Sequence, residues 1–159
     1  MKRILLSALA VFAFATISAQ DFNAGLNVGL PIGDAGDAYT FNITLDVSAL
    51  WEVSESFDAG VATGLSYNLG DEIAGFSIDD AIFLPIAAAG RFAVSEDFTL
   101  GADLGYALGL APDGNDGGFY YAPRVQYGVS DALDIVLSYR GVSDDGSFDV
   151  INLGVEFGF

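Results

Sequence analysis

Apolar side chains alternate one by one with small or polar side chains through most of residues 22–159. The clearest segment is 39–53, where every second residue is apolar: Tyr39, Phe41, Ile43, Leu45, Val47, Ala49 and Trp51. A period of two is the pattern of a β-strand whose two faces meet different surroundings. This alternation predicts an all-β chain.

Turn signals divide the chain into strands. A five-residue phrase that begins with Val-Ser and an acidic residue and ends with Phe or Leu predicts three tight hairpin turns, at 53–57, 94–98 and 129–133. Stretches rich in Gly and Asp predict four longer loops, at 33–38, 70–80, 112–118 and 143–147. Turns that alternate with loops give eight antiparallel strands with both termini at the short-turn end. The predicted strands are 22–32, 39–53, 57–69, 82–94, 98–110, 119–129, 133–141 and 150–159.

Hydropathy and charge together indicate a membrane. The mean hydropathy is +0.46 although the formal charge is −17. Residues 20–159 contain no run of 18 apolar residues, which excludes a transmembrane helix. A closed barrel is the other structure that satisfies every backbone group in lipid. We therefore predict an eight-stranded up-and-down transmembrane β-barrel, closed by pairing of 150–159 with 22–32.

The alternation also fits a soluble binding barrel of the lipocalin type, with its apolar face inward. Two features favour the outward orientation. Bulky aromatics lie on the apolar face, while the other face is rich in Gly, Ala and Ser. The aromatics also form two predicted interfacial girdles. The girdle at the short turns contains Trp51, Phe57, Phe92, Phe98, Phe157 and Phe159, and the girdle at the long loops contains Tyr39, Phe41, Tyr67, Phe119 and Tyr121.

Residues 1–19 are predicted to be a cleaved secretory signal peptide, which leaves 20–159 as the barrel domain. Lys2 and Arg3 precede a short apolar run, and the small residue Ala19 offers a cleavage point before Gln20.

Cleavage lowers the formal charge to −19, because two basic residues leave and all 22 acidic ones stay. Such acidity argues against nucleic-acid binding. The chain has no Cys, which excludes disulfides and a cysteine-linked lipid anchor.

Charged residues within the predicted strands fall on the small-residue face, which places them in the lumen. An Arg on the lipid face at mid-membrane costs about 2–4 kcal/mol. The predicted lumen charges are Arg91, Arg124, Arg140, Asp46, Glu52, Asp58, Asp103, Asp134 and Glu156. Pro85 lies on the fourth strand and lacks a backbone N–H, which predicts a local bulge there.

Asp103 is predicted to lie between Arg91 and Arg124 on the neighbouring strands. Buried charges are normally paired, so one interpretation is a network that plugs the interior. The other interpretation is a gate that breaks and re-forms to pass water or ions. Inward glycines leave space for such a path. It would prefer cations weakly, because the nine predicted lumen charges sum to −3.

The predicted outer loops are acidic, and the oxygen-rich segment 113–117 is of a kind that binds Ca²⁺. Its spacing does not match the EF-hand loop, and ordinary turn chemistry accounts for the same residues. Divalent cations that bridge these loops to anionic lipid are therefore a second interpretation beside simple turns. No metal site or cofactor is assigned.

The last strand alternates up to a terminal Phe and resembles the C-terminal signal that the outer-membrane assembly machinery recognises. Its apolar positions are Ile151, Leu153, Val155, Phe157 and Phe159. The stretches 25–33 and 84–92 also resemble the small outer-membrane β-barrel family, which includes OmpX and the OmpA membrane domain. The resemblance covers residues 20–159. It implies the fold, the outer membrane of a Gram-negative cell, and lipid and the assembly machinery as partners of a monomer.

Three functions follow from these patterns. The first is a non-enzymatic structural or surface-interaction barrel with a largely plugged polar lumen. The second is a narrow, weakly cation-preferring porin-like channel, and the third is a soluble secreted barrel that binds a ligand. A Ser-His-Asp hydrolase is excluded because the chain has no His. A glycosidase is disfavoured because an eight-stranded interior has no cleft for a polymer.

Overall fold

The structure, a computed structural model, describes residues 20–73 and 75–159. The predicted signal peptide, 1–19, lies outside the described residues. Eight long strands are present: β1 (Gln20–Ile32), β2 (Tyr39–Ser54), β3 (Phe57–Gly70), β6 (Ala81–Ala93), β7 (Phe98–Ala111), β8 (Gly118–Ser130), β9 (Leu133–Ser143) and β10 (Ser147–Gly158). The shorter elements are a 3-10 helix (Gly33–Asp37), β4 (Glu72–Ile73) and β5 (Phe76–Ser77).

The long strands close into one antiparallel barrel in the order β1-β10-β9-β8-β7-β6-β3-β2. The last strand pairs with the first, from Asn23 opposite Gly158 to Ile32 opposite Asp149. The three short turns lie at the end of the barrel where both termini lie, and the four longer connections lie at the other end. The predicted fold class and closure are confirmed. Within the described residues, no helix is long and apolar enough to cross a membrane.

The apolar face points outward. Leu30, Leu104 and Leu153 are 60%, 54% and 55% exposed, whereas Asn42 and Asn152 on the other face are fully buried. Because a soluble binding barrel needs the opposite orientation, the prediction of a soluble binder is wrong. The outer wall instead presents a continuous apolar surface that suits lipid.

One predicted girdle residue points the other way. A register shift between Tyr39 and Phe41 turns Tyr39 into the lumen, where its ring lies 4.9 Å from that of Phe148. A bulge adds one residue to a strand and so reverses the side-chain phase beyond it. The strict alternation assumed from the sequence therefore placed Tyr39 wrongly.

The bulge predicted at Pro85 is also wrong in position. β6 and β3 pair in the same register on both sides of Pro85, and only Leu84 and Pro85 lack a paired residue on β3. A register shift does lie nearby, between Ile82 and Phe83, but the extra residue there is Leu110 of β7. Thr63 donates a side-chain hydrogen bond to the Pro85 carbonyl at 2.8 Å. The sheet therefore tolerates the missing N–H without an extra residue.

The loop between β3 and β6 is folded. It contains the small hairpin of β4 and β5, which the sequence did not predict. Asp80 anchors its end by accepting hydrogen bonds from the Tyr67 hydroxyl and from the Gly70 N–H, the latter at 2.9 Å. These two hydrogen bonds hold the pKa of Asp80 below its ordinary value.

Candidate functional site

All three arginines of residues 20–159 point into the lumen, at about the middle of the barrel. Arg91 on β6, Arg124 on β8 and Arg140 on β9 are 3%, 6% and 7% exposed. Each arginine is within ion-pair distance of a carboxylate on another strand. We call these six residues the central belt: Arg91, Arg124, Arg140, Asp46, Asp103 and Glu156.

The pair of Arg140 and Asp46 crosses the lumen. β9 and β2 are not neighbours in the barrel, since β10 and β1 lie between them. The guanidinium donates two parallel hydrogen bonds, Nη1 to Oδ1 at 2.8 Å and Nη2 to Oδ2 at 2.5 Å. Asn27 donates a third hydrogen bond to Asp46, at 2.8 Å. Such a bidentate pair is strong and fixes the orientation of both groups.

The predicted chain of Arg91, Asp103 and Arg124 has an unequal geometry. Arg91 Nη1 lies 2.7 Å from Asp103 Oδ1, whereas Arg124 Nη1 lies 4.0 Å from Asp103 Oδ2. Arg124 instead pairs closely with Glu156, with Nη2 to Oε2 at 2.6 Å. Gln126 donates to the other oxygen of Glu156 at 2.8 Å. Asp103 therefore forms a close ion pair with Arg91 only. Its longer contact with Arg124 links this pair to the pair of Arg124 and Glu156.

Gly101 makes room for this arrangement. A Cβ at this position would lie 2.7 Å from Cδ of Arg91 and 3.0 Å from Cγ of Arg124. Because carbon atoms do not approach so closely, any larger residue would push both arginines away. The glycine on the inward face is therefore part of the belt's geometry.

The other three predicted lumen charges lie apart from the belt, toward the short turns. Asp134 accepts a hydrogen bond from Gln126 at 3.2 Å, and Asp58 is half-buried. Glu52 is exposed, next to the turn after β2. None of the three forms an ion pair within the described chain. The belt thus has three positive and three negative groups, while both barrel ends are acidic.

An apolar cluster fills the lumen between the belt and the long loops. Rings from three strands meet there: Phe83 and Phe148 have centroids 5.1 Å apart, and Tyr39 packs on Phe148. We call this cluster the plug: Phe83, Tyr120, Phe148, Tyr39 and Val142, with Ala81, Ala87, Ala107 and Ala122. The sequence analysis missed it. The alternation could have revealed two of its members. Phe83 lies on the same face of its strand as Arg91, and Tyr120 on the same face as Arg124, and both arginines were predicted to point inward.

Little space is enclosed at the level of the belt and the plug. A cavity of about 10 Å³ touches Asp46, Asp103 and Arg124. Another, of about 20 Å³, touches Arg140, Phe83 and Phe148. A cavity of roughly 10–15 Å³ holds one water molecule. These two spaces therefore hold about one water each.

The short-turn end is open. A cavity of about 430 Å³, the mouth cavity, reaches from the rim inward to Arg91 and Glu156. Its other lining residues are Asp21, Asn23, Leu50, Asp58, Thr99, Gln126, Asp131, Asp134, Gly158 and Phe159. The lumen is therefore asymmetric, with an acidic vestibule on one side of the belt and the plug on the other.

The loops bring no metal centre together. Among residues 20–73 and 75–159, no group of three or more His, Cys, Asp or Glu side chains is placed to hold a metal ion. Divalent cations that bridge single loop carboxylates to lipid remain a prediction.

One acidic residue lies on the outer wall near the long loops. Asp149 was outside the predicted last strand, but β10 begins at Ser147 and places it on the outward face. The hydroxyls of Tyr121 and Ser147 donate to its two oxygens, at 3.2 and 2.8 Å. These two hydrogen bonds stabilise the Asp149 carboxylate at the level of the aromatic girdle, where the outer wall meets the polar membrane interface.

A closed barrel of eight strands with an apolar outer wall, aromatic ends and a polar lumen crossed by a belt of ion pairs defines an integral outer-membrane β-barrel protein. Residues 4–159 match the family described as outer membrane protein beta-barrel domain, and the chain belongs to this family. The short turns in such barrels face the periplasm and the long loops face outside.

Solved structures show the same fold at low sequence identity. Ail, the attachment invasion locus protein of Yersinia pestis, is 13% identical with a TM-score of 0.63, and the match covers 90% of this chain and 100% of that one. Neisserial surface protein A is 17% identical with a TM-score of 0.55, covering 89% and 98%. The N-terminal barrel domain of OprF from Pseudomonas aeruginosa is 11% identical with a TM-score of 0.54, covering 87% and 97%. A comparison with curated proteins finds no match.

Proposed function

We propose that this protein is a non-enzymatic outer-membrane barrel that works through its surface, with a lumen closed to solutes. The observation that carries the proposal is the succession of belt and plug, with enclosed cavities of only about 10 and 20 Å³. An eight-stranded barrel is just wide enough for its own side chains to fill. Here arginine, carboxylate and aromatic side chains occupy that width.

The belt resists opening for an electrostatic reason. Separating Arg140 from Asp46 would leave both charges in a site with little room for water. Such a break costs about 3–5 kcal/mol when the partner is lost. An open state with these two charges separated is therefore disfavoured in the folded barrel.

The loops set the chemistry of a surface partner. The connections at the outer end contain acidic residues and no Lys, Arg or His: Asp34, Asp37, Asp71, Glu72, Asp79, Asp80, Asp113, Asp116, Asp144 and Asp145. Ail has been crystallised with the heparin analogue sucrose octasulfate, a polyanion. A polyanion would be repelled by the loops of this chain, so we propose a cationic partner or one bridged by divalent cations.

Catalysis is disfavoured by the residues available. The chain has no His and no Cys, so the hydrolase and acyltransferase arrangements that depend on them are absent from the sequence. The buried carboxylates of the belt are each held by an arginine, and Asp46 and Asp103 line a cavity too small for a substrate.

The test of this proposal is single-channel recording in a planar bilayer. We expect the folded protein to insert without producing conductance steps. The double variant Phe83→Ala with Phe148→Ala is the matched control, because it removes two rings of the plug and leaves the belt intact. Stable steps from the unmodified protein would overturn the closed lumen.

A narrow cation-preferring channel is the second candidate. It is favoured by the mouth cavity, which opens the lumen from the short-turn end as far as Arg91 and Glu156. It is also favoured by buried atoms without hydrogen-bond partners in the described chain, including Nε of Arg91 and of Arg124. Water that satisfies such atoms would form part of a path. This candidate predicts small cation-preferring steps whose cation preference Asp46→Asn lowers, because the variant leaves the charge of Arg140 without its partner.

We further propose that residues 1–19 are removed on export and that the last strand is recognised during assembly. Ile151, Leu153 and Phe157 lie on the outward face, 45%, 55% and 47% exposed, together with the half-buried Val155, and Phe159, just past the end of β10, is exposed. N-terminal sequencing of the protein from outer membranes should begin at Gln20. A start at Met1 would contradict cleavage.

A further inference from the structure

The mouth cavity carries an excess of negative charge that the barrel itself does not balance. Asp21, Asp58, Asp131 and Asp134 line it, and none of them has an ion-pair partner in the described chain. The belt just above is neutral, because each arginine has its own carboxylate. The barrel therefore has no cation left for the vestibule.

A second feature, at Gln126, favours a hydrogen-bond donor beside the carboxylates. Gln126 lines its inner part and is only 5% exposed. Its amide nitrogen donates to Asp134 at 3.2 Å and to Glu156 at 2.8 Å, which fixes the orientation of the amide. Its Oε1 is then buried without a partner in the described chain. A buried acceptor without a hydrogen bond destabilises the folded protein, so a bound donor would be favoured.

The inner end of the cavity limits how deep a cation can go. Arg91 lies there, paired through Nη1 with Asp103 on its far side. A cationic ligand is therefore repelled from the belt and attracted to the ring of carboxylates nearer the rim. The charges are spread over the wall of a 430 Å³ space rather than gathered at a point. That spread suits an extended polycation better than a metal ion, consistent with the lack of a metal-binding group in the described residues.

We propose that the mouth cavity binds an aliphatic polyamine from the periplasmic side. One ammonium group donates to Gln126 Oε1 and to the carboxylate of Asp134, and the remaining ammonium groups lie toward Asp58, Asp131 and Asp21. Ammonium groups suit this site because each has three donors and no acceptor. The methylene links between them pack on Leu50 and Phe159, the large apolar side chains of the lining.

The proposal is tested by calorimetric titration of spermidine into the folded protein in nonionic detergent at moderate salt. We expect one site, and at least fivefold weaker binding for Asp134→Asn. The matched control is Asp145→Asn, which removes the same charge from an exposed loop at the opposite end. It should change the affinity less than twofold, because salt screens charges farther apart than about 10 Å.

A second variant protects the test against misfolding. Asp58 is half-buried at the rim and accepts no hydrogen bond from Gln126. The variant Asp58→Asn should therefore fold normally and still bind spermidine more weakly. Equal weakening by Asp145→Asn and Asp134→Asn would mean nonspecific counterion attraction and would overturn the proposal. So would Mg²⁺ displacing spermidine at equal charge concentration, or glutarate binding in place of spermidine, since the latter would assign the site to Arg91.

Discussion

Removing Asp46 should destabilise the barrel more than removing any exposed acid. Asp46→Ala leaves Arg140 with its charge intact in a site where it is 7% exposed. The lost contacts are the two guanidinium bonds at 2.8 and 2.5 Å and the bond from Asn27. Loss of one partner of a buried pair costs about 3–5 kcal/mol. Because the Asp46 side chain is 13% exposed, some water can reach Arg140, and we expect about 3 kcal/mol.

The assay is equilibrium unfolding by urea in lipid vesicles. Trp51, the single Trp of the chain, lies on the outward face of β2 and reports its transfer from lipid to water. With a slope of about 1–3 kcal/mol per molar urea, the midpoint should fall by about 1–3 M.

Two controls separate the ion pair from general effects of charge. Asp145→Ala removes an exposed acid and should change stability by less than about 0.5 kcal/mol. Asp46→Leu with Arg140→Met replaces both partners by apolar groups and should recover most of the loss. A midpoint for Asp46→Ala equal to that of Asp145→Ala would refute the reasoning.

Three further predictions concern other parts of the barrel. Gly101→Ala should cost about 1–3 kcal/mol in urea unfolding because its Cβ would lie 2.7 Å from an arginine carbon, whereas Gly146→Ala, with open space around it, should be neutral. Leu104→Arg, on the outward face of β7, should cost about 2–4 kcal/mol in the same assay, and a neutral result would argue against its lipid contact. The lowered pKa of Asp80 means that its anchoring is present above the ordinary carboxyl pKa and is lost as the pH falls through the lower folded-state value. The NMR shift of the Gly70 amide should therefore titrate below the ordinary carboxyl range, and a flat signal in Asp80→Asn is the control.

Most of the fold was predictable because a membrane barrel imposes one rule on every strand. Lipid on one side and a narrow lumen on the other require a strict period of two, so the alternation revealed the strands, while the turn signals gave their number and the aromatic residues gave their orientation. The rule fails where a strand contains an irregularity. The shift at Tyr39 and the shift beside Ile82 depend on local backbone geometry, which leaves no mark on the hydropathy pattern.

The site was predictable in composition but not in pairing. The alternation alone placed all three arginines in the lumen, since each lies on the small-residue face of its strand. It could not show that Arg140 reaches across to Asp46, because the partners lie 94 residues apart on strands that do not pair. Nor could it show that Arg124 favours Glu156 over the neighbouring Asp103. Those choices depend on side-chain length and on the space left by Gly101.

The orientation of the two faces is tested most directly by fluorescence quenching of single indoles. In a Trp51→Phe background, Leu104→Trp places an indole on the outer wall and Thr99→Trp places one in the mouth cavity. In vesicles that contain brominated lipid, we expect strong quenching at position 104 and little at position 99. Acrylamide in water should give the reverse order. Stronger quenching by brominated lipid at position 99 than at position 104 would contradict a lipid-facing apolar wall around a polar lumen.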